Sequence, residues 1–477
     1  MKEILDTDFI KSQGLMLNIG KDYLSYKNNH LYYYDIDLLE LVEKFGNPLK
    51  VGYVDIIREK VLHLKECFKN SIEKFGYQGK YIYANANKAS YYSENVITAG
   101  HYADMIETSS YFDLLLVERI MNKKIVEKKT IICNGIKNEQ YLNKIVELAN
   151  KNYRILNIID NIEEFNFFVN SDLKYNIDLG LRVNLINIYS KSKEVVYDRF
   201  GLTEKEINSC LENYLKNPKV NITTIHYHQR SSKYDEVKNF INLEKVFKIY
   251  ANLKKKNNNI INLNIGGGSP YDKIREYNYQ EYTDKIISFI KDLSNKFNVD
   301  MPNIIQENGR YTVSDSCFNI YKVENKKEIN NDLWYIINGS IMTSVSNTWA
   351  LNEEFLVLPI NLLENKLQKC KLAGDTCDCD DTYYQQTKEK YVLLPEIKEG
   401  QTLYVGFFGI GAYQEILSGI GGIHHCLNAE ENDLIIYKNK NKNVFYKIRG
   451  AQSINHIFKR LNYKKKSKMK VYKKVNI

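Results

Sequence analysis

The 477-residue chain is long enough for two or three domains, and with 44% hydrophobic residues it can bury a large core. Its formal net charge of +9 is local: positions 459–477 hold nine Lys and Arg and no acid, and without them 58 basic residues balance 58 acidic ones. A neutral body excludes a protein that works by gripping a polyanion along its whole face, and no apolar run approaches the roughly 18 residues that a membrane helix needs.

Taken in chain order, 30–34 reads as a strand and 54–76 as a helix. Short apolar runs then alternate with amphipathic segments. The runs are 81–86, 103–106, 130–133, 154–159, 178–183, 222–226, 260–265 and 303–306. The helical patterns between them are 89–100, 110–122, 137–151, 161–170, 203–215, 235–256 and 275–297. Eight strands in strict alternation with helices predict an eight-stranded (β/α) barrel. An open doubly wound sheet is the rival, because alternation does not itself require closure. After Arg310 the pattern changes to strand-like runs at 332–337, 355–360, 402–409 and 433–447. These predict a mostly β C-terminal domain completed by N-terminal strands. The basic tail reads as a solvated extension without a specific nucleic-acid partner.

The start, Met1-Lys2-Glu3, places an acid where a secretory signal would be basic. The eight cysteines are scattered, with no CxxC pair to hold zinc. Both features predict a reduced, cytoplasmic protein with no membrane partner.

Reactive groups in a barrel collect where strands end. Here those ends carry Lys88, Glu107, Arg182, His228, the run Gly266-Gly267-Gly268 and Glu307. Glycines let backbone N–H groups approach an anion such as a phosphate, and Gly309 beside Arg310 offers further donors. A plain tight turn explains either loop equally well in isolation. Lys88 at a dry barrel mouth is costly without chemical work such as bonding a carbonyl cofactor. His226 and His228 stand two apart, a spacing that suits a metal, but no third ligand is close in sequence, so a stacking or core role is the better reading and no metal is expected. Cys377-Asp378-Cys379-Asp380-Asp381 is a poor core and a poor strand; it reads as a thiol acid with carboxylates for a cationic substrate, or as an acidic surface loop.

These residues together resemble the fold-type III pyridoxal-phosphate decarboxylases, over about 30–427. Lys88-Ala89-Ser90 is similar to the family's lysine motif, and the 19-residue interval to Glu107 matches its next acidic strand end. Leu181-Arg182-Val183, Arg199-Phe200-Gly201, His226-Tyr227-His228, the glycine run, Glu307-Asn308-Gly309-Arg310, Cys377-Asp378 and Gly411-Ala412-Tyr413 resemble further family elements. Cys377-Asp378-Cys379-Asp380, Gly411-Ala412-Tyr413-Gln414-Glu415 and Thr348-Trp349-Ala350 are closest to the arginine branch. Two departures stand out: Arg230-Ser231 replaces the usual Gly-Ser, and Asn308 replaces Pro or Ser.

The resemblance implies pyridoxal 5'-phosphate as cofactor, bonded to Lys88. Glu107, Arg182, His228, Ser231, Gly266, Gly267, Gly268, Glu307, Gly309, Arg310 and Tyr413 would surround it. Lys88, His228, Glu307 and the acid Cys377 would act in catalysis, and Asp378 with Asp380 would bind the distal cation of the substrate. The implied reaction is decarboxylation of a small basic amino acid, foremost L-arginine to agmatine and CO2 in polyamine (spermidine) biosynthesis. Ornithine, lysine, diaminopimelate or a carboxy-polyamine are alternative substrates, and a non-catalytic regulatory homologue or a related racemase are further alternatives. A homodimer or higher oligomer with shared active sites is implied. A Mg2+ activator has no signature in the residues. The expected division is 1–48 for the N-terminal segment, 49–310 for the barrel, 311–458 for the β domain and 459–477 for the tail.

Overall fold

The computed structural model describes residues 21–185, 199–229, 236–272, 277–351, 353–383, 391–438 and 444–463. Ser231, Arg230 and most of the basic tail lie outside them. The chain divides into two compact units.

One unit comprises Val54–Ser316 and Gly411–Tyr413. Its strands are β1 (Tyr81–Ala86), β2 (Met105–Thr108), β3 (Thr130–Cys133), β4 (Ile155–Ile159), β5 (Ile177–Arg182), β6 (Val220–His226), β7 (Asn262–Asn264) and β8 (Asn303–Asn308). All neighbours are parallel, and β8 pairs with β1 through Glu307 opposite Ala84 and Asn308 opposite Asn85. That pairing closes the barrel, so the open-sheet alternative is excluded.

Local chemistry sets the helix starts between these strands. Ser110, Asn138, Asn161 and Asn278 each accept a backbone N–H of the following helix, and Thr203 with Glu206 forms a reciprocal capping box. Two strands sit differently from the sequence pattern. The 103–106 run becomes Met105–Thr108, because the Ala103 N–H still bonds Ala99 O of the preceding helix. Glu107 therefore lies inside β2. Only Asn262–Asn264 of the 260–265 run pairs as a strand.

Ala84, Ile132, Leu156, Ile158 and Ile305 form a buried apolar cluster contributed by β1, β3, β4 and β8. Gly180 leaves room for it: a Cβ there would lie 2.6 Å from Ile158 Cδ1. Each such buried aliphatic side chain contributes roughly 1.5–3 kcal/mol of transfer free energy.

The other unit comprises Met1–Tyr53, Cys317–Ile410 and Gln414–Ile477. Its central strand, Cys317–Ile329, pairs antiparallel with Leu49–Tyr53, Asp332–Ile337 and Tyr404–Phe408. Leu49–Tyr53 also pairs in parallel with Asn432–Lys438. The N-terminal contribution to the main sheet is thus Leu49–Tyr53, while Leu24–Lys27, His30–Tyr33 and Ile36–Asp37 form a small sheet of their own. Tyr33 and Phe408 stack on Phe318 at centroid distances of 4.9 and 5.2 Å. The expected 433–447 run is a hairpin of Asn432–Lys438 with Val444–Arg449.

Candidate active site

Lys88 does not extend from β1 itself. It rides on the one-turn helix Asn87–Ala89 that follows, where Ser90 N bonds Asn87 O at 2.9 Å. Asn85 Nδ2 donates to Asn87 Oδ1 at 2.9 Å, and Asn87 Nδ2 donates to the buried Asp113 at 3.2 Å. That chain fixes the turn and aims the lysine at the barrel mouth.

There Lys88 Nζ lies 3.1 Å from Glu107 Oε1. Glu107 is fully buried. The amide of Asn134, just after β3, donates to Glu107 Oε1 at 3.0 Å and to Glu307 Oε2 at 2.9 Å. Asn264 Nδ2 donates to Glu307 Oε1 at 2.8 Å, and His226 Nε2 faces the same oxygen at 3.6 Å.

Burial opposes ionisation of both carboxyls. Glu307 is nevertheless held well below the usual carboxylate range by His226, Lys88 and the Asn264 donor. Glu107 goes the other way: burial, helped by the Glu307 charge, outweighs Lys88 and raises it. Of the two coupled carboxyls, Glu307 is the more readily ionised. Despite burial, the Lys88 ammonium is held above its ordinary range by Glu107, Glu307 and Tyr413.

The glycine run is built for close approach. Gly266 has φ +67, and a Cβ there would meet Tyr227 O at 2.5 Å. A Cβ on Gly267 would meet Glu307 O at 2.7 Å. The amides of both already have protein partners, contrary to the expectation that they face a phosphate. Gly266 N donates to Asn264 Oδ1 at 2.9 Å, and Gly267 N donates to His228 Nδ1 at 3.2 Å. Among the described residues no backbone acceptor meets the amide of Gly268, which has φ +106. The bond from Gly267 assigns His228 Nδ1 as an acceptor. Burial and the Lys88 charge push the His228 ring down to about 4, so it is neutral at neutral pH.

Arg182, at the end of β5, pairs with Asp160 at 3.3 Å and stacks on Phe200 with its guanidinium carbon 4.4 Å from the ring centre. Gly309 caps the short helix Arg310–Val313. The Arg310 guanidinium lies 5.2 Å from the centre of the Tyr413 ring. Tyr413 reaches the barrel unit on the strap Gly411–Tyr413: Gly411 N bonds Ser314 O and Tyr413 N bonds Ala89 O, each at 2.9 Å. Any Cβ on Gly411 would collide with Val313 O.

Lys88, Glu107, His228, Gly266, Gly267 and Glu307 thus meet at one mouth, beside the pairs Arg182–Asp160 and Arg310–Tyr413. Cys377, Asp378 and Asp380 belong to the other unit. Cys377 Sγ lies 3.3 Å from Cys426 Sγ, Asp378 Oδ2 lies 3.1 Å from His425 Nε2, and Asp380 N donates to Asp378 Oδ1 at 2.8 Å. Sharing with Cys426 raises the Cys377 thiol. Asp381 is an anchor, buried and accepting from Met342 N at 2.9 Å and Thr376 Oγ1 at 2.7 Å.

Sequence reasoning missed Asn134, Asn264 and Asp160, and it left His226 without a task. Asn134 and Asp160 carry the same signal that marked Lys88, a polar residue just past an apolar strand. Asn264 was visible as the second inward asparagine of Asn262-Leu263-Asn264.

Among the described residues, several buried polar atoms of the barrel find no hydrogen-bond partner: Asn85 Oδ1, Glu107 Oε2, Asn134 Oδ1, both amide atoms of Asn157 and both ring nitrogens of His226. Native interiors rarely leave such groups unpaired. A lysine, an ionised carboxylate, a neutral imidazole and these open polar atoms fit a polar heterocyclic aldehyde such as pyridoxal phosphate.

The fold and this donor set are similar to those of the fold-type III pyridoxal-dependent decarboxylases. Residues 110–314 match the family model of the pyridoxal-dependent decarboxylase, pyridoxal binding domain. Over most of its length the chain is similar to biosynthetic arginine decarboxylases. It is 24% identical to that of Citrifermentans bemidjiense, over 93% of this chain and 88% of the relative. It is 22% identical to biosynthetic arginine decarboxylase 2 of Synechocystis, over 82% and 79%. The crystal structure of the Campylobacter jejuni biosynthetic arginine decarboxylase superposes with a TM-score of 0.79 at 20% identity, over 97% of this chain and 91% of that one. Diaminopimelate decarboxylase from M. jannaschii in complex with L-lysine gives 0.74 at 20% identity, over 92% and 98%. Among the described residues no helix is long and apolar enough to cross a membrane.

Proposed function

We propose that the chain decarboxylates a basic amino acid with pyridoxal phosphate, L-arginine to agmatine and CO2 foremost. The observation that carries this is Lys88 held 3.1 Å from one buried carboxylate while a second, Glu307, is kept ionised across the same mouth.

Bound pyridoxal phosphate supplies the electron sink for the charge left by CO2. In this reading Lys88 holds the cofactor, and Glu107 with Asn134 orients the lysine. Ionised Glu307 holds a proton at the ring nitrogen. Neutral His228 offers its ring face for stacking without adding charge. Arg310, Tyr413 and the Gly268 amide anchor the phosphate; Gly266 and Gly267 shape the turn that presents it. Arg182, fixed by Asp160, and Ser231 complete the surround. Cys377, kept protonated by its raised pKa, delivers a proton to the substrate α-carbon. Asp378 and Asp380 bind the distal cation, where a guanidinium makes two parallel bonds and an ammonium does not. A homodimer in which the Cys377 loop of one subunit serves the site of the other is part of this reading, as is a place in the cytoplasm.

Release of CO2 from arginine, ornithine, lysine and meso-diaminopimelate, measured side by side with added pyridoxal phosphate, tests it. Arginine should turn over fastest. Preference for diaminopimelate would overturn the role of Asp380, and no release from any of them would overturn the function.

A further inference from the structure

Two loops of the β unit are laced together at three points. Asn428 Nδ2 donates to Asp375 Oδ1 at 2.9 Å. Cys377 and Cys426 bring their sulfurs to 3.3 Å. His425 Nε2 lies 3.1 Å from Asp378 Oδ2. The partners run in opposite directions along the two segments, 375, 377, 378 against 428, 426, 425. The thiol contact is therefore the middle rung of a seam, held on both sides by polar contacts. Behind it, Asp381 ties the first loop to Met342 N and Thr376.

Cys377, Cys379 and Cys426 are exposed, and the other five cysteines are buried. Cys379 turns aside, with its sulfur 3.8 Å from Asp380 Oδ1. So one pair of accessible thiols is pre-positioned, and a third thiol close by serves as an internal control.

The structure assigns Cys377 and Cys426 as a reversible oxidation site, in which a peroxide converts the two thiols to an intrachain disulfide. The sulfurs must close from 3.3 Å to about 2.0 Å, the length of a disulfide bond. One thiolate attacks a peroxide oxygen, breaks the O–O bond and leaves water and a sulfenic acid. The second thiolate attacks that sulfur, and the departing hydroxide takes up a proton as a second water. Two S–H bonds are lost, one S–S bond forms, and hydrogen peroxide is reduced to two waters. A dithiol reductant reverses the step by exchange.

The consequence for activity rests on the reading of Cys377 as the proton donor. A disulfide removes that proton and pins the acid loop to the 424–428 turn, so turnover should fall by roughly 100-fold, the scale of a general acid.

The holoenzyme is treated with hydrogen peroxide, and CO2 release is followed alongside mass mapping of non-reduced peptides. A Cys377–Cys426 linked peptide should appear as activity falls, and dithiothreitol should restore both. Cys426→Ser should keep basal activity and show neither the link nor a dithiothreitol-reversible loss. Cys379→Ser should behave as the unmodified protein. Absence of the linked peptide, or linkage through Cys379 instead, overturns the assignment. Linkage with undiminished activity supports the oxidation site and sinks the acid role of Cys377.

Discussion

Glu107 and Glu307 accept the two hydrogens of one amide: Asn134 Nδ2 sits 3.0 Å from an oxygen of the first and 2.9 Å from an oxygen of the second. Burial opposes ionisation of both carboxyls, and the surroundings favour it most at Glu307. Lys88 touches Glu107, while Asn264 and His226 face Glu307.

Removing the bridge should therefore be costly even without cofactor. Asn134→Ala leaves two buried acceptors short of a donor, at about 1–3 kcal/mol. Urea unfolding of the apoprotein should show that loss, and an unchanged midpoint and slope would show that the bridge is dispensable.

Glu307→Gln keeps the size and the Asn264 contact but loses the charge. kcat should fall roughly 100-fold or more while cofactor still binds. Cofactor absorbance together with steady-state rates separates the two, and full activity would remove Glu307 from the mechanism.

Gly266→Ala should cost about 1–3 kcal/mol, because φ is +67 and the new methyl would lie 2.5 Å from Tyr227 O. The same variant should weaken pyridoxal phosphate binding, since the displaced backbone carries His228 with it. Thermal melts with and without cofactor measure both effects; a variant that melts and binds as the parent does would show that the turn tolerates a side chain.

The His228 ring is depressed to about 4 from an ordinary 6.5. Between those values the unfolded chain binds the proton more readily than the folded one. Stability should thus be complete above about pH 6.5 and be lost as pH falls toward 4, by up to about 3 kcal/mol. His228→Gln should flatten that part of the pH–stability curve. An identical curve for the variant would place the proton elsewhere.

Much of this was legible in the sequence because barrel strands are short, apolar and followed by the residues that do chemistry. Lys88, Glu107, His228 and Glu307 announced themselves that way. Asn134 and Asp160 carried the same signal but are uncharged or merely acidic, and in an Asn-rich chain they read as loop. The amides of Gly266 and Gly267 were assigned to a phosphate because spacing shows conformational freedom and not which acceptor lies opposite. The long strand Cys317–Ile329 was missed because its second half, Glu324-Asn325-Lys326-Lys327-Glu328, is exposed and charged and lacks apolar alternation. Leu49–Tyr53 was hidden for a different reason: its partners lie more than 260 residues away in sequence, and no local pattern records that.

The central claim is that Lys88 holds the cofactor, and borohydride trapping tests it most directly. Reduction of the protein loaded with pyridoxal phosphate, followed by peptide mass mapping, should place the added mass on the peptide containing Lys88, and Lys88→Ala should take up none and release no CO2. Labelling of a different lysine, or CO2 release by Lys88→Ala at the parent rate, would contradict the account.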